Sequence, residues 1–88
     1  MTDNLENKRK KLIFRAGHRG TKEMDLILGN FAADHVHGFT PEEVDLFEDL
    51  LNDSDPDLYN WIMRKEPVPA KSQNAVMDKL LAYKYTGS

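Results

Sequence analysis

"TPEEVDLFEDLLND", Thr40 to Asp53, is the stretch that decides the fold. Thr40 can accept a backbone N–H at a helix start, Pro41 suits the first helical position, and Glu43 can reach back to the cap as in a capping box. Val44, Phe47, Leu50 and Leu51 then recur at helical spacing, with acids between them. The segment reads as an amphipathic helix with one buried stripe.

The same logic runs outward in both directions. Downstream, "SDPDLYNWIMRK" (Ser54 to Lys65) puts Asp55 at the cap, Pro56 at the start, and Leu58, Trp61 and Ile62 inward. Trp61 is expected to fill the centre of the core. Pro67 and Pro69 bracket a stiff connector, and Asn74 to Lys84 is a last helix with Val76, Met77, Leu80 and Leu81 on one side. Upstream, "TKEMDLILGNFAADHVHG" (Thr21 to Gly38) places Met24, Ile27, Leu28 and Phe31 on one face, and Gly38 is positioned to end it. Leu5 to Ala16 is a first helix, its apolar positions Leu12, Ile13 and Ala16. Gly29 sits inside a helix at a cost of about 1 kcal/mol against alanine, which implies close approach of another backbone. No strand pattern and no repeat is visible. The expected fold is all-α, a compact five-helix antiparallel bundle. It forms a single domain over residues 1–88, with 1–7 and 85–88 flexible. Such short helices hold only by packing against one another.

A chain of 88 residues has room for one thin core and little for a deep cleft. It has no cysteine, which excludes disulfides, a thiol nucleophile and thiolate metal sites. Apolar runs are too short to span a membrane, and the N-terminus has the apolar core of no secretory signal. The expected address is the bacterial cytoplasm, or the mitochondrial matrix for a processed eukaryotic chain. Charge falls in blocks: net +5 over residues 1–22, −11 over 23–63 and +3 over 64–88. Blocks of this kind either neutralise each other in packing or steer charged partners.

Enzyme signatures are missing: there is no phosphate-binding loop, no dinucleotide fingerprint and no nucleophile beside a histidine–acid pair. The acid pairs Glu42–Glu43 and Glu48–Asp49 read as solvated helix faces. His35 and His37, two apart on a helix, point away from each other and do not share a metal ion. "KRKK" (Lys8 to Lys11) could touch phosphates, but no candidate recognition helix between Glu23 and Met63 carries a base. It reads as a solvated helix start or a complement to an acidic protein surface. No catalytic, metal-binding or cofactor-binding residue is expected, and no nucleic-acid partner.

"HRGTKE", His18 to Glu23, remains. Gly20 can serve as an N-cap, with Glu23 at the third helical position bonding back to it. That accounts for the glycine and the glutamate as an ordinary helix start. It leaves Arg19 unexplained, and Arg15 one turn before it. Two guanidinium groups beside an exposed helix start suit a partner protein, and a glycine there lets another chain come close. Both accounts stay open on the residues alone.

Arg19, Gly20 and Glu23 in "RGTKE" resemble the RGxxE motif of the succinate dehydrogenase flavinylation factors. "RGTKEMDLILGNF", "TPEEVDLFEDLLNDSDPDLYNWI" and the last helix follow in that family's order, so the likeness covers roughly Lys8 to Lys84. The resemblance implies a five-helix bundle and an assembly factor that is a chaperone and not an enzyme. It implies a partner, the FAD-loaded flavoprotein subunit of succinate dehydrogenase, and in some bacteria that of fumarate reductase, whose covalent FAD attachment the factor promotes. Arg19, Gly20 and Glu23 are then partner-binding positions; Arg15 is expected beside them from its charge one turn earlier, and Tyr59 at the edge of the contact surface. Asp55, Leu58, Tyr59 and Trp61 match the second signature. FAD belongs to the partner, so the isolated chain, read as a monomer, is expected to hold no cofactor tightly. The rival reading is a generic helical adaptor for protein or nucleic acid.

Overall fold

The computed structural model describes residues 3–83. Five α-helices follow one another: α1 (Asp3–Ala16), α2 (Lys22–His35), α3 (Pro41–Leu50), α4 (Asp55–Ile62) and α5 (Ala75–Ala82). Short 3-10 turns at Val36–Gly38 and Ala70–Ser72 close α2 and lead into α5. No strand occurs among the described residues, and no helix among them is long and apolar enough to cross a membrane. The fold is all-α, as the periodicity requires. The expected flexible tail 85–88 lies outside the described residues; at the other end α1 begins at Asp3, and Leu5 already packs against the core.

Local caps set the helix starts. At α3 the capping box forms as its sequence predicts: Thr40 Oγ1 accepts from the Glu43 N–H at 3.1 Å, and Glu43 Oε1 accepts from the Thr40 N–H at 3.0 Å. Two other starts differ from expectation by one residue. Thr21, not Gly20, caps α2 by accepting from the Met24 N–H. Ser54, not Asp55, caps α4 by accepting from the Asp57 N–H. In each pair both residues are competent caps; the Asp55 carboxylate is engaged by a contact made far along the chain, as described below.

The core is an aromatic cluster more than a tryptophan. Phe31 and Phe47 are fully buried, with ring centroids 5.8 Å apart. Phe39, from the connector before α3, stands 6.2 Å from Phe31 and 6.0 Å from Phe47, within the range of tilted aromatic packing. Trp61 is buried but peripheral: it lines a surface depression with Val68 and Leu81. The α5 end is fastened by Tyr83, whose ring meets Phe31 and His35 edge-on and whose hydroxyl donates to Asp34 at 2.6 Å. His35 is therefore half-buried in aromatic packing, while His37 is exposed. Among the described residues no group of three His, Asp or Glu side chains is placed to hold a metal.

Part of the charge blocking is neutralised by packing. Lys8 on α1 meets Asp45 at 2.5 Å and Glu48 at 3.1 Å on α3, and Lys79 on α5 approaches Glu43. Solvent screens exposed pairs of this kind, so they orient more than they stabilise. At its other end α4 closes in a Schellman pattern, with the Arg64 N–H donating to Trp61 O and the Lys65 N–H to Asn60 O. Arg64 takes the left-handed conformation that this requires.

Gly29 is explained by close approach. A Cβ there would lie 3.2 Å from the Gly17 Cα, at the point where the chain leaving α1 crosses α2. Gly29→Ala gains about 1 kcal/mol of helix propensity and loses about 1–3 kcal/mol to overpacking. The expected result is a net loss of about 1 kcal/mol in urea denaturation. A variant as stable as the wild type would mean that the crossing gives way freely.

Candidate functional site

The α1–α2 connector is held by a side chain of its own. Arg19 turns inward. Its Nε donates to Asp55 Oδ1 at 2.7 Å, one terminal nitrogen to the Leu51 carbonyl at 2.6 Å, and the other to the Asp53 carbonyl at 2.7 Å. Leu51 and Asp53 lie where the chain leaves α3, so a cation meets unsatisfied carbonyls at the negative helix end. The Arg19 and Asp55 side chains are only 12% and 16% exposed. Asp55 also accepts from the Gly20 N–H through Oδ2 at 3.0 Å. The Arg19 N–H donates to Asp25 Oδ1 on α2. This one connector thus ties α2 to the α3–α4 junction, and the carboxylate that could have capped α4 is engaged with Arg19 and Gly20 instead.

The structure therefore separates the two guanidinium groups that the sequence brought together. Both arginines line one depression, but Arg19 uses its donors internally. Arg15 stays exposed, with one bond to Asn52 Oδ1 at 3.2 Å. The depression has a volume of about 380 Å³ and is bounded by Phe14, Arg15, His18, Arg19, Gly20 and Asp55. Gly20 is exposed within it. Its backbone has no positive φ, and a Cβ would meet only Asp55 Oδ2, at 3.4 Å. The glycine is required by no local turn geometry; what it contributes is open space over a backbone fixed from beneath.

Past Gly20 the character of the surface changes. Thr21, Glu23, Met24, Asp55, Pro56 and Tyr59 line a second, mostly apolar groove of about 220 Å³, which meets the first at Asp55. Glu23 occupies the second position of α2, not the third, because Thr21 is the cap. Its carboxylate is exposed and makes no hydrogen bond or ion pair with another described residue. Tyr59 is half-buried, with Lys65 Nζ 5.6 Å from its ring centre. Burial raises the carboxyl of Asp53, whose backbone carbonyl Arg19 holds, from its ordinary value, and Lys71 opposes that rise.

Of the residues singled out in the sequence, Arg15, Gly20, Glu23 and Tyr59 share this face, and Arg19 supports it from within. Two members were missed. Phe14 is 64% exposed, and its ring stacks on His18 at 4.0 Å between centroids. The signal was present: Phe14 falls outside the Leu12–Ile13–Ala16 stripe, so a large apolar side chain had to face outward. Asp25, which holds the Arg19 N–H, carried no such signal.

The family described as the flavinator of succinate dehydrogenase matches residues 10–84. The mitochondrial succinate dehydrogenase assembly factor 2 of Candida glabrata is 37% identical over 84 residues, covering 92% of this chain and 55% of that protein. Its counterpart in Dictyostelium discoideum is 38% identical over 73 residues, covering 83% of this chain and 52% of that one. The FAD assembly factor SdhE of Acetobacter pasteurianus is 34% identical over 79 residues, covering 90% and 72%. The chain thus spans about half the length of the two mitochondrial relatives. With the family match running from the last turns of α1 to beyond α5, and taking in the clamped connector, this chain belongs to the flavinator of succinate dehydrogenase family.

Proposed function

We propose that this protein is an assembly factor for the flavoprotein subunit of succinate dehydrogenase, and that it promotes covalent attachment of FAD to that subunit without catalysing the bond itself. One observation carries the reading. Gly20 leaves an open notch over a backbone fixed by Arg19 and Asp55, between an exposed aromatic pair and an unengaged carboxylate. A surface of this kind meets a partner without first being ordered, which keeps the cost of binding low. Membership of a family described as the flavinator of succinate dehydrogenase supports this choice of partner.

The mechanism is a population shift. The factor binds the flavoprotein conformation in which FAD can link, and so raises its occupancy by as much as its preference for that conformation. Gly20, Glu23, Arg15 and Tyr59 form the contact, and Arg19 supports it. The flavin stays with the partner; the two shallow grooves hold no tight FAD site of their own. Fumarate reductase, whose flavoprotein is related, is a second client in bacteria that make both. The factor acts as a monomer where the flavoprotein matures, in the bacterial cytoplasm or the mitochondrial matrix.

The test mixes flavoprotein subunit and FAD with and without the factor and follows covalent flavin fluorescence on a denaturing gel. The expected result is faster and fuller labelling with the factor present. Equal labelling in both arms would favour the rival reading, a helical adaptor with another partner.

A further inference from the structure

We infer that the outer face of α1 around Phe14 is a second contact area of the same docking surface, and that it takes an acidic segment of the flavoprotein. The inference rests on the assembly-factor reading above and adds to it the chemistry of the partner segment.

Three observations converge. First, Phe14 is the most exposed large apolar side chain among the described residues. The ring is fixed by stacking on His18, which also bonds the Phe14 carbonyl through Nδ1 at 2.8 Å. An aromatic ring held in one place is a ready anchor for a partner. Second, Phe14 lines two depressions. One is the Gly20 depression; the other, of about 420 Å³, is bounded by Lys10, Lys11, Phe14 and Arg15 and is almost wholly apolar. The α1 face is therefore continuous with the Gly20 notch. Third, its two lysines are unengaged by any other described residue. In the same basic run Lys8 is engaged by Asp45 and Glu48, and Arg9 by Glu6 and the Phe39 carbonyl. Lys10 and Lys11 make no ion pair or hydrogen bond with any described residue. The one acid lining either depression, Asp55, already serves Arg19 and Gly20.

A solvated lysine face alone would need no partner. An exposed phenylalanine stacked on His18, beside lysines that pair with no described residue and adjoining the notch, calls for an apolar side chain flanked by carboxylates. Opposite charge would guide such a segment to the face and set its direction across the notch.

The test titrates the FAD-loaded flavoprotein subunit with wild-type factor, with Phe14→Ala, and with the double variant Lys10→Glu, Lys11→Glu, at low and high salt. All the altered side chains are exposed, and circular dichroism checks that each variant folds. Phe14→Ala is expected to weaken binding about thirtyfold. The charge reversal is expected to weaken it at least about tenfold at low salt and to flatten the salt dependence. Carbodiimide coupling of the wild-type complex should join Lys10 or Lys11 to an aspartate or glutamate of the flavoprotein. Wild type that binds while both variants match it within about twofold, at unchanged salt slope, overturns this inference and leaves the function intact. Wild type that does not bind the flavoprotein, or that binds phosphatidylserine vesicles in its place, overturns both.

Discussion

Gly20→Arg is expected to fold like the wild type and to lose its hold on the flavoprotein subunit, the proposed partner. The backbone permits the change, since no glycine among the described residues has a positive φ. The new Cβ stands 3.4 Å from Asp55 Oδ2 and meets no other non-neighbouring heavy atom within 4 Å. Stability should therefore move by less than about 1 kcal/mol, as for other surface substitutions. The rest of the side chain has nowhere to go but outward, into the depression between Phe14 and Asp55. There it fills the space that a partner's backbone would use, and contact packing tolerates no such volume. Affinity for the flavoprotein should fall by about a hundredfold or more, as bulk at the centre of an interface does. Calorimetric titration reads the affinity and urea denaturation reads the fold. Binding at wild-type strength by a folded variant would place the contact elsewhere.

What could be foreseen here, and what could not, divides along contact range. Thr40, Pro41 and Glu43 fixed the start of α3 because every atom of a capping box lies within one turn of sequence. The stripes Met24–Ile27–Leu28–Phe31 and Val44–Phe47–Leu50–Leu51 found the core because burial follows helical phase. Gly29 announced a close approach through its own cost, though not that Gly17 was the neighbour. The misplacements have one origin. Asp55 reads as a cap, but its carboxylate is taken by Arg19, 36 residues earlier, and Ser54 caps the helix. Gly20 reads as a cap because nothing local says that Thr21 wins. Phe39 lies in a connector, where periodicity has no bearing, and yet it completes the aromatic cluster. Arg19 is the largest departure. A guanidinium in a charged, glycine-containing stretch reads as surface; its inward course depends on carbonyls exposed at the end of a different helix. That departure sharpens the site rather than dissolving it. With Arg19 occupied within, the groups left to meet a partner include Gly20, Glu23, Arg15, the half-buried Tyr59, the aromatic pair of Phe14 and His18, and Lys10 and Lys11 beside it.

Removing that inward side chain should cost more than any surface change in the molecule. Arg19→Ala leaves the Asp55 carboxylate mostly buried with only the Gly20 N–H as donor, and strips the Leu51 and Asp53 carbonyls of their partner. Breaking one side of a buried, hydrogen-bonded ion pair costs about 3–5 kcal/mol, a large share of the 5–15 kcal/mol that holds a small domain together. Arg19→Lys keeps the charge but replaces a planar fork by a single ammonium. It can satisfy the carboxylate or the carbonyls and not both sets, so it should recover less than half of the loss. Asp55→Ala should be less damaging, because Arg19 keeps its two carbonyl partners. The double variant Arg19→Ala, Asp55→Ala should be more stable than the sum of the singles predicts, by about 1–3 kcal/mol of coupling. Denaturation curves for the four proteins measure this directly. Binding separates support from contact. Where Arg19→Lys is still folded, its affinity for the flavoprotein should fall only a few-fold, far less than for Gly20→Arg, because the lysine never reaches the partner. An Arg19→Lys protein of wild-type stability that has lost the flavoprotein altogether would reverse the assignment and put the guanidinium at the interface.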